Sequence, residues 1–151
     1  MRRLLILYHS QGGHTARMAD AVLQGARSET GVETVCKRAF DAGIDDLLAC
    51  QALVIGTPEN FGYMSGAIKD FFDRTYYPAE GKTVGLPYAL FISAGNDGSG
   101  AVREIGRIVA GYGWKSVAEP VIARKEADAG VFQACEELGA AMASGLALGI
   151  F

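Results

Sequence analysis

The stretch Arg3-Leu4-Leu5-Ile6-Leu7-Tyr8-His9-Ser10-Gln11-Gly12-Gly13-His14-Thr15 decides the fold. Its first half is apolar without alternation, which marks a strand buried on both faces. Its second half switches within a few residues to glycine, amide and hydroxyl side chains. From Thr15 to Ser28 the apolar residues Ala19, Val22, Leu23 and Ala26 recur at helical spacing, with Arg17, Asp20 and Arg27 outside that stripe. A doubly buried strand that runs through a glycine turn into a helix is the first part of a β–α–β unit, and such units build parallel sheets.

The same alternation continues along the chain. Val32–Lys37, Ala52–Thr57, Leu86–Ser93 and Trp114–Ala123 read as strands. Asp45–Cys50 reads as a weak helical turn. Gly66–Thr75 carries Ile68, Phe71, Phe72 and Thr75 on one helical face, and Gly98–Tyr112 carries Val102, Ile105, Val109 and Tyr112. Asp128–Leu148 is the last predicted helix, with Val131, Cys135, Leu138 and Met142 facing in. Five strands alternating with helices predict an α/β, doubly wound parallel sheet with helices on both faces. No linker, repeat or low-complexity segment interrupts it, so residues 1–151 are expected to form one domain.

Composition narrows the function classes. The 151 residues are 50% apolar and 21% charged, which is globular rather than disordered. Fourteen Lys and Arg against seventeen Asp and Glu give a net charge of -3, which argues against a general basic surface for nucleic acid. Tyr76, Tyr77 and Tyr88 have no basic stripe around them and read as packing and surface-turn residues. Nothing at the N-terminus has the form of a signal peptide, and the uncharged stretch after Glu137 is shorter than the ~20 apolar residues of a membrane span. Cys36, Cys50 and Cys135 are dispersed and lack CxxC spacing, so neither a disulfide framework nor a metal site is expected. A cytoplasmic protein with no membrane partner is the expectation. Ile150 and Phe151, beyond an Ala- and Gly-rich helix end, fit either docking in a homodimer or tetramer or a helix packed on its own sheet with a loose tail.

In a doubly wound sheet, ligands bind beyond the carboxyl ends of the strands, where the strand order switches direction. Three segments lie there. Ser10-Gln11-Gly12-Gly13-His14-Thr15 joins a buried strand to a helix N-terminus, where free amides and the helix dipole suit a phosphate. The same residues also fit a tight turn with Thr15 as N-cap. Pro58-Glu59-Asn60-Phe61-Gly62-Tyr63-Met64 mixes aromatic, sulfur and amide groups that suit a planar ring. Ala94-Gly95-Asn96-Asp97-Gly98 allows close backbone approach, and Asp97 or Ser99 is placed to cap the next helix. Other phosphate sites do not fit. Lys115-Ser116 lacks P-loop spacing, the residues from Gly95 to Gly100 are not GxGxxG, and the first loop has no cysteine nucleophile.

Together these motifs resemble the flavodoxin-like FMN proteins, close to short relatives of the tryptophan-repressor-binding-protein family of NAD(P)H:quinone oxidoreductases. The resemblance is carried by Tyr8–Thr15, by Gly56-Thr57-Pro58-Glu59-Asn60-Phe61-Gly62-Tyr63-Met64-Ser65-Gly66, and by Lys69-Asp70-Phe71-Phe72-Asp73-Arg74. It implies a three-layer sandwich with strand order 2-1-3-4-5. It also implies FMN as cofactor, with Ser10, Gln11, Gly12, Gly13, His14 and Thr15 at its phosphate. Pro58–Met64 would then lie along the ring and Ala94–Gly98 would close the other side. Gly12 departs from the family, where a hydroxyl is usual, at a cost of about 1 kcal/mol for one neutral hydrogen bond. Amides at Asn60 and Gly62 are the candidates for stabilising the reduced ring.

The resemblance implies NAD(P)H and a quinone-like small molecule as partners, in ping-pong order at one open flavin face. The third loop lacks an aromatic, so that face is left free for a substrate, which favours an enzyme over a carrier. The alternative is a flavodoxin-type electron carrier docking on a redox partner protein. No catalytic acid or base is assigned, because His9 and His14 read as ordinary loop residues.

Overall fold

The computed structural model describes residues 1–151. Its centre is made by the doubly apolar segments β1 (Arg2–Tyr8), β3 (Ala52–Pro58) and β4 (Pro87–Ala94). These have no polar face to give to water, so they occupy the middle of the sheet. The more polar β2 (Val32–Arg38) takes one edge. The other edge holds β5 (Lys115–Ser116) and β6 (Val121–Arg124), which both pair parallel with β4. All ladders are parallel and the order is β2-β1-β3-β4-β5, as the resemblance implies.

One strand differs from expectation. The run Trp114–Ala123 is not continuous but broken into β5 and β6. Pro120 has no N–H to give a ladder, and such residues are confined to edges and interruptions. Trp114 lies before β5, buried, with its indole Nε1 donating to Thr83 Oγ1 at 2.9 Å.

Helices cover both faces. α1 (His14–Arg27) and α5 (Ala129–Ala147) pack on one side over Leu4, Ile6, Val54 and Phe91. α2 (Ile44–Ala49), α3 (Gly66–Ala79) and α4 (Ser99–Tyr112) pack on the other over Leu5, Leu7, Leu53 and Ile55. α1 and α5 approach closely because Gly25 and Gly139 lie at their contact: a Cβ on Gly139 would sit 2.0 Å from Val22 O, and one on Gly25 1.9 Å from Glu136 O. α3 runs one turn past the expected Thr75. Ala79 and Tyr76 continue its apolar stripe, and Pro78, which has no N–H to give to the Arg74 carbonyl, marks where the helix ends. Phe151 folds back on Gly145 and joins the α1–α5 layer, while Ile150 stays exposed.

Candidate functional site

The loops after β1, β3 and β4 emerge at the same end of the sheet, because the three strands are adjacent and parallel. The first loop enters α1 through Gly13, whose φ of 93° is left-handed and which supplies no side-chain cap. Thr15 is therefore not the N-cap. It lies inside the helix, buried under the loop. Ser10 Oγ accepts from the Gly13 amide at 3.1 Å, which folds the loop back on itself. The amides of Gln11, Gly12, His14, Thr15 and Ala16 have no partner within the chain. They gather at the positive end of α1, an arrangement suited to a phosphate. His14 Nδ1 and Arg17 Nη2 are 3.0 Å apart, which brings a cation to a loop that has none of its own.

The second loop is a small hairpin. Asn60 and Tyr63 exchange backbone hydrogen bonds of 2.9 and 3.0 Å around Phe61 and Gly62. Both central residues have positive φ, 53° and 71°, as in a type I′ turn. The backbone N–H of Asn60 is thus committed to Tyr63, and of the two candidate amides only that of Gly62 is free. Thr57 Oγ1 holds the base of the turn, accepting from the Ser65 amide at 2.9 Å and donating to Pro58 O. Met64 points into the core, whereas Phe61 stands fully in solvent.

The hairpin is tied on both sides. Asn60 Nδ2 donates to Gln11 Oε1 at 3.0 Å, which links it to the first loop. Glu59 Oε2 accepts from the Ala101 amide at 3.0 Å, which links it to α4. In the third loop Asp97 Oδ1 accepts from both the amide and the hydroxyl of Ser99. These bonds hold the Asp97 carboxyl below its ordinary pKa, with Arg124 adding to the effect. Ala94 and Gly98 are buried, and Gly95, Asn96 and Asp97 face solvent. A Cβ on Gly13, Gly62 or Gly95 would meet nothing within 4 Å, so each loop opens a glycine toward free space. No pocket lies among the loops; an open groove of about 440 Å³ runs between β6 and α5.

Burial and the Arg38 guanidinium lower the His9 pKa, and the His9 ring packs edge-on against Phe40 at 5.9 Å. The three thiols are free, and burial pushes Cys36 and Cys135 up to about 11 and Cys50 to about 12. Sequence reasoning missed the ties made by Gln11 and Glu59. It also missed the hairpin, since the usual Asn-Gly signal is replaced by Phe61-Gly62.

Residues 3–128 match the family described as NADPH-dependent FMN reductase. The chain belongs to this family. It is a flavodoxin-like FMN protein. It is 34% identical to an NAD(P)H dehydrogenase (quinone) of Acidithiobacillus ferrooxidans, over 66% of this chain and 60% of that protein. It is 35% identical to a flavodoxin of Aquifex aeolicus, over 66% of this chain and 54% of that one. The match thus spans little more than half the length of these curated relatives. Among solved structures, an archaeal flavodoxin superposes with a TM-score of 0.82 at 22% identity, covering 95% of this chain and 98% of that one. A WrbA-like flavodoxin of Agrobacterium tumefaciens superposes at 0.76 with 24% identity, and 99% of each chain is covered. These two likenesses concern the fold. No helix of the chain is long and apolar enough to cross a membrane. The loop residues fit FMN: unpaired amides and two hydroxyls suit a phosphate, and the open glycines leave room for a ring.

Proposed function

We propose that residues 1–151 form one FMN-binding domain that oxidises NAD(P)H and passes the electrons to a quinone or similar small acceptor. Ser10, Gln11, Gly12, Gly13, His14 and Thr15 hold the phosphate, through free amides, hydroxyls and the positive end of α1. Pro58, Glu59, Asn60, Phe61, Gly62, Tyr63 and Met64 form the wall beside the ring, with Met64 anchoring it from the core. Ala94, Gly95, Asn96, Asp97 and Gly98 border the opposite side. When bound, FMN supplies the hydride and electron chemistry. The chain orients the ring, and the Gly62 amide offers it a hydrogen bond. The proposed setting is cytoplasmic, supported by three free thiols.

One observation carries the choice of an enzyme. The rim is open, the third loop presents Gly95 and Asn96 rather than an aromatic, and a substrate ring has room to stack. The flavodoxin of Aquifex aeolicus among the relatives favours a second reading, an electron carrier for a redox partner protein. Anaerobic titration of the FMN-loaded protein with NADPH and then NADH separates the two. Rapid bleaching of the flavin band is expected. A stable yellow complex indifferent to both nucleotides refutes the reductase reading and leaves the carrier.

A further inference from the structure

We propose that Glu59 is a positioning residue: its carboxylate fastens the Pro58–Ser65 hairpin to the N-terminus of α4, so that the loops bordering the flavin move as one unit. The proposal rests on the reading that this hairpin faces the ring. Glu59 is anchored twice to the same side of the sheet. Its backbone N–H donates to Ser93 O at 2.8 Å, and its Oε2 accepts from the Ala101 amide at 3.0 Å. The backbones also touch, because a Cβ on Gly100 would lie 2.2 Å from Gly62 O. α4 is short of anionic caps. Its N-cap is Gly98, without a side-chain bond, and its first turn holds no acidic residue. Asp97 serves the Ser99 amide and Glu59 serves that of Ala101, so a residue from another loop completes the helix start. A carboxylate accepting a backbone amide at the positive end of a helix makes a charge-assisted bond, stronger than a neutral one.

The charge has a redox consequence. The N-terminus of α4 lies at the end of the sheet where the flavin would bind, and its positive end would favour the negative charge that the ring gains on reduction. The Glu59 carboxylate cancels part of that field. Glu59 therefore trades electron affinity for a fixed hairpin. Glu59→Gln keeps an acceptor oxygen and removes the charge, whereas Glu59→Ala removes both.

The test compares wild type, Glu59→Gln and Glu59→Ala. Amide hydrogen exchange is read in the apoprotein, and FMN affinity and midpoint potential in the loaded protein. In Glu59→Ala the Ala101 amide should exchange at least about tenfold faster, with α5 amides unchanged, and FMN should bind about tenfold more weakly. In Glu59→Gln most of the Ala101 protection should remain and the potential should rise. Unchanged Ala101 exchange in Glu59→Ala, or an unchanged or lower potential in Glu59→Gln, overturns the proposal. If Glu59→Ala does not fold, the Glu59→Gln potential decides alone. If wild type fails to bind FMN, the flavin reading falls, and the apoprotein exchange rates still decide the tie in either direction.

Discussion

Gly100→Ala tests whether the contact between α4 and the hairpin sets the flavin site. Gly100 lies in the first turn of α4, and a Cβ there would sit 2.2 Å from Gly62 O, 2.8 Å from its carbonyl carbon and 2.9 Å from its Cα. A close carbon–oxygen contact is ordinarily ~3.3 Å or longer, so the hairpin must retreat by about 1 Å. The obstacle is backbone, and no rotamer relieves it. Overpacking of this kind costs about 1–3 kcal/mol. The hairpin is a surface element, so most of that cost should appear as displacement of the loop rather than as global unfolding. Relative to wild type, FMN affinity should therefore fall roughly ten- to hundredfold, since each ~1.4 kcal/mol is a factor of ten. The apoprotein melting temperature should fall by only about 2–4 °C, the shift for ~1 kcal/mol in a domain of this size. Quenching of FMN fluorescence gives the affinity and circular dichroism the melt. Gly106→Ala is the control: it lies on the same helix with nothing within 4 Å of its Cβ, and should bind FMN normally and melt slightly higher. Affinity in Gly100→Ala within about twofold of wild type would refute the reasoning.

Ser10→Ala combined with Thr15→Ala should weaken FMN binding by roughly tenfold or more, from two lost hydrogen bonds of ~1 kcal/mol each; an unchanged titration would mean the phosphate lies elsewhere. Gly139→Ala should lower the melting temperature by several degrees, because its Cβ would lie 2.0 Å from Val22 O across the α1–α5 contact. Burial raises the Asp46 pKa, but hydrogen bonds from the Lys37 ammonium and the Gly43 amide outweigh it and leave the carboxyl below its ordinary value. Its stabilising contribution is therefore present at neutral pH and fades as pH falls through the carboxylate range, so Asp46→Asn should flatten the acid limb of a stability–pH curve. Cys36, Cys50 and Cys135, pushed up to about 11, 12 and 11, should resist iodoacetamide at pH 7.5 until the protein is unfolded, as mass spectrometry would show.

The sheet was legible because its signal is local and repeated. Leu4–Leu7 and Ala52–Ile55 are apolar at every position, and only the middle of a parallel sheet hides both faces of a strand. The stripe of α4 was legible for the same reason, since Ile105, Val109 and Tyr112 keep helical spacing. The break between β5 and β6 was missed because Val117, Ala118, Val121 and Ile122 suggest one strand, while Glu119 and Pro120 between them mark the interruption. In the site, glycines and hydroxyls located the loops, but nothing local reveals which partner a side chain finds far along the chain. Gln11 meets Asn60, and Glu59 meets Ala101, only after the sheet has brought the loops together.

Phe61 shows why stability is not what shaped this rim. A bulky residue with φ of 53° costs about 1–2 kcal/mol of backbone strain, and Asn-Gly would make the same turn without most of it. Its ring recovers nothing from the core, because it stands wholly in solvent. The strain is held in place by the Asn60–Tyr63 bridge, the Gln11–Asn60 bond and the Glu59–Ala101 bond, which together over-determine the turn. Strain maintained by surrounding bonds, with no return in packing, belongs to a surface organised for something outside the chain. An exposed aromatic beside a free Gly62 amide is suited to a planar ring, and the adjoining Gly95–Asn96 backbone leaves space for a second.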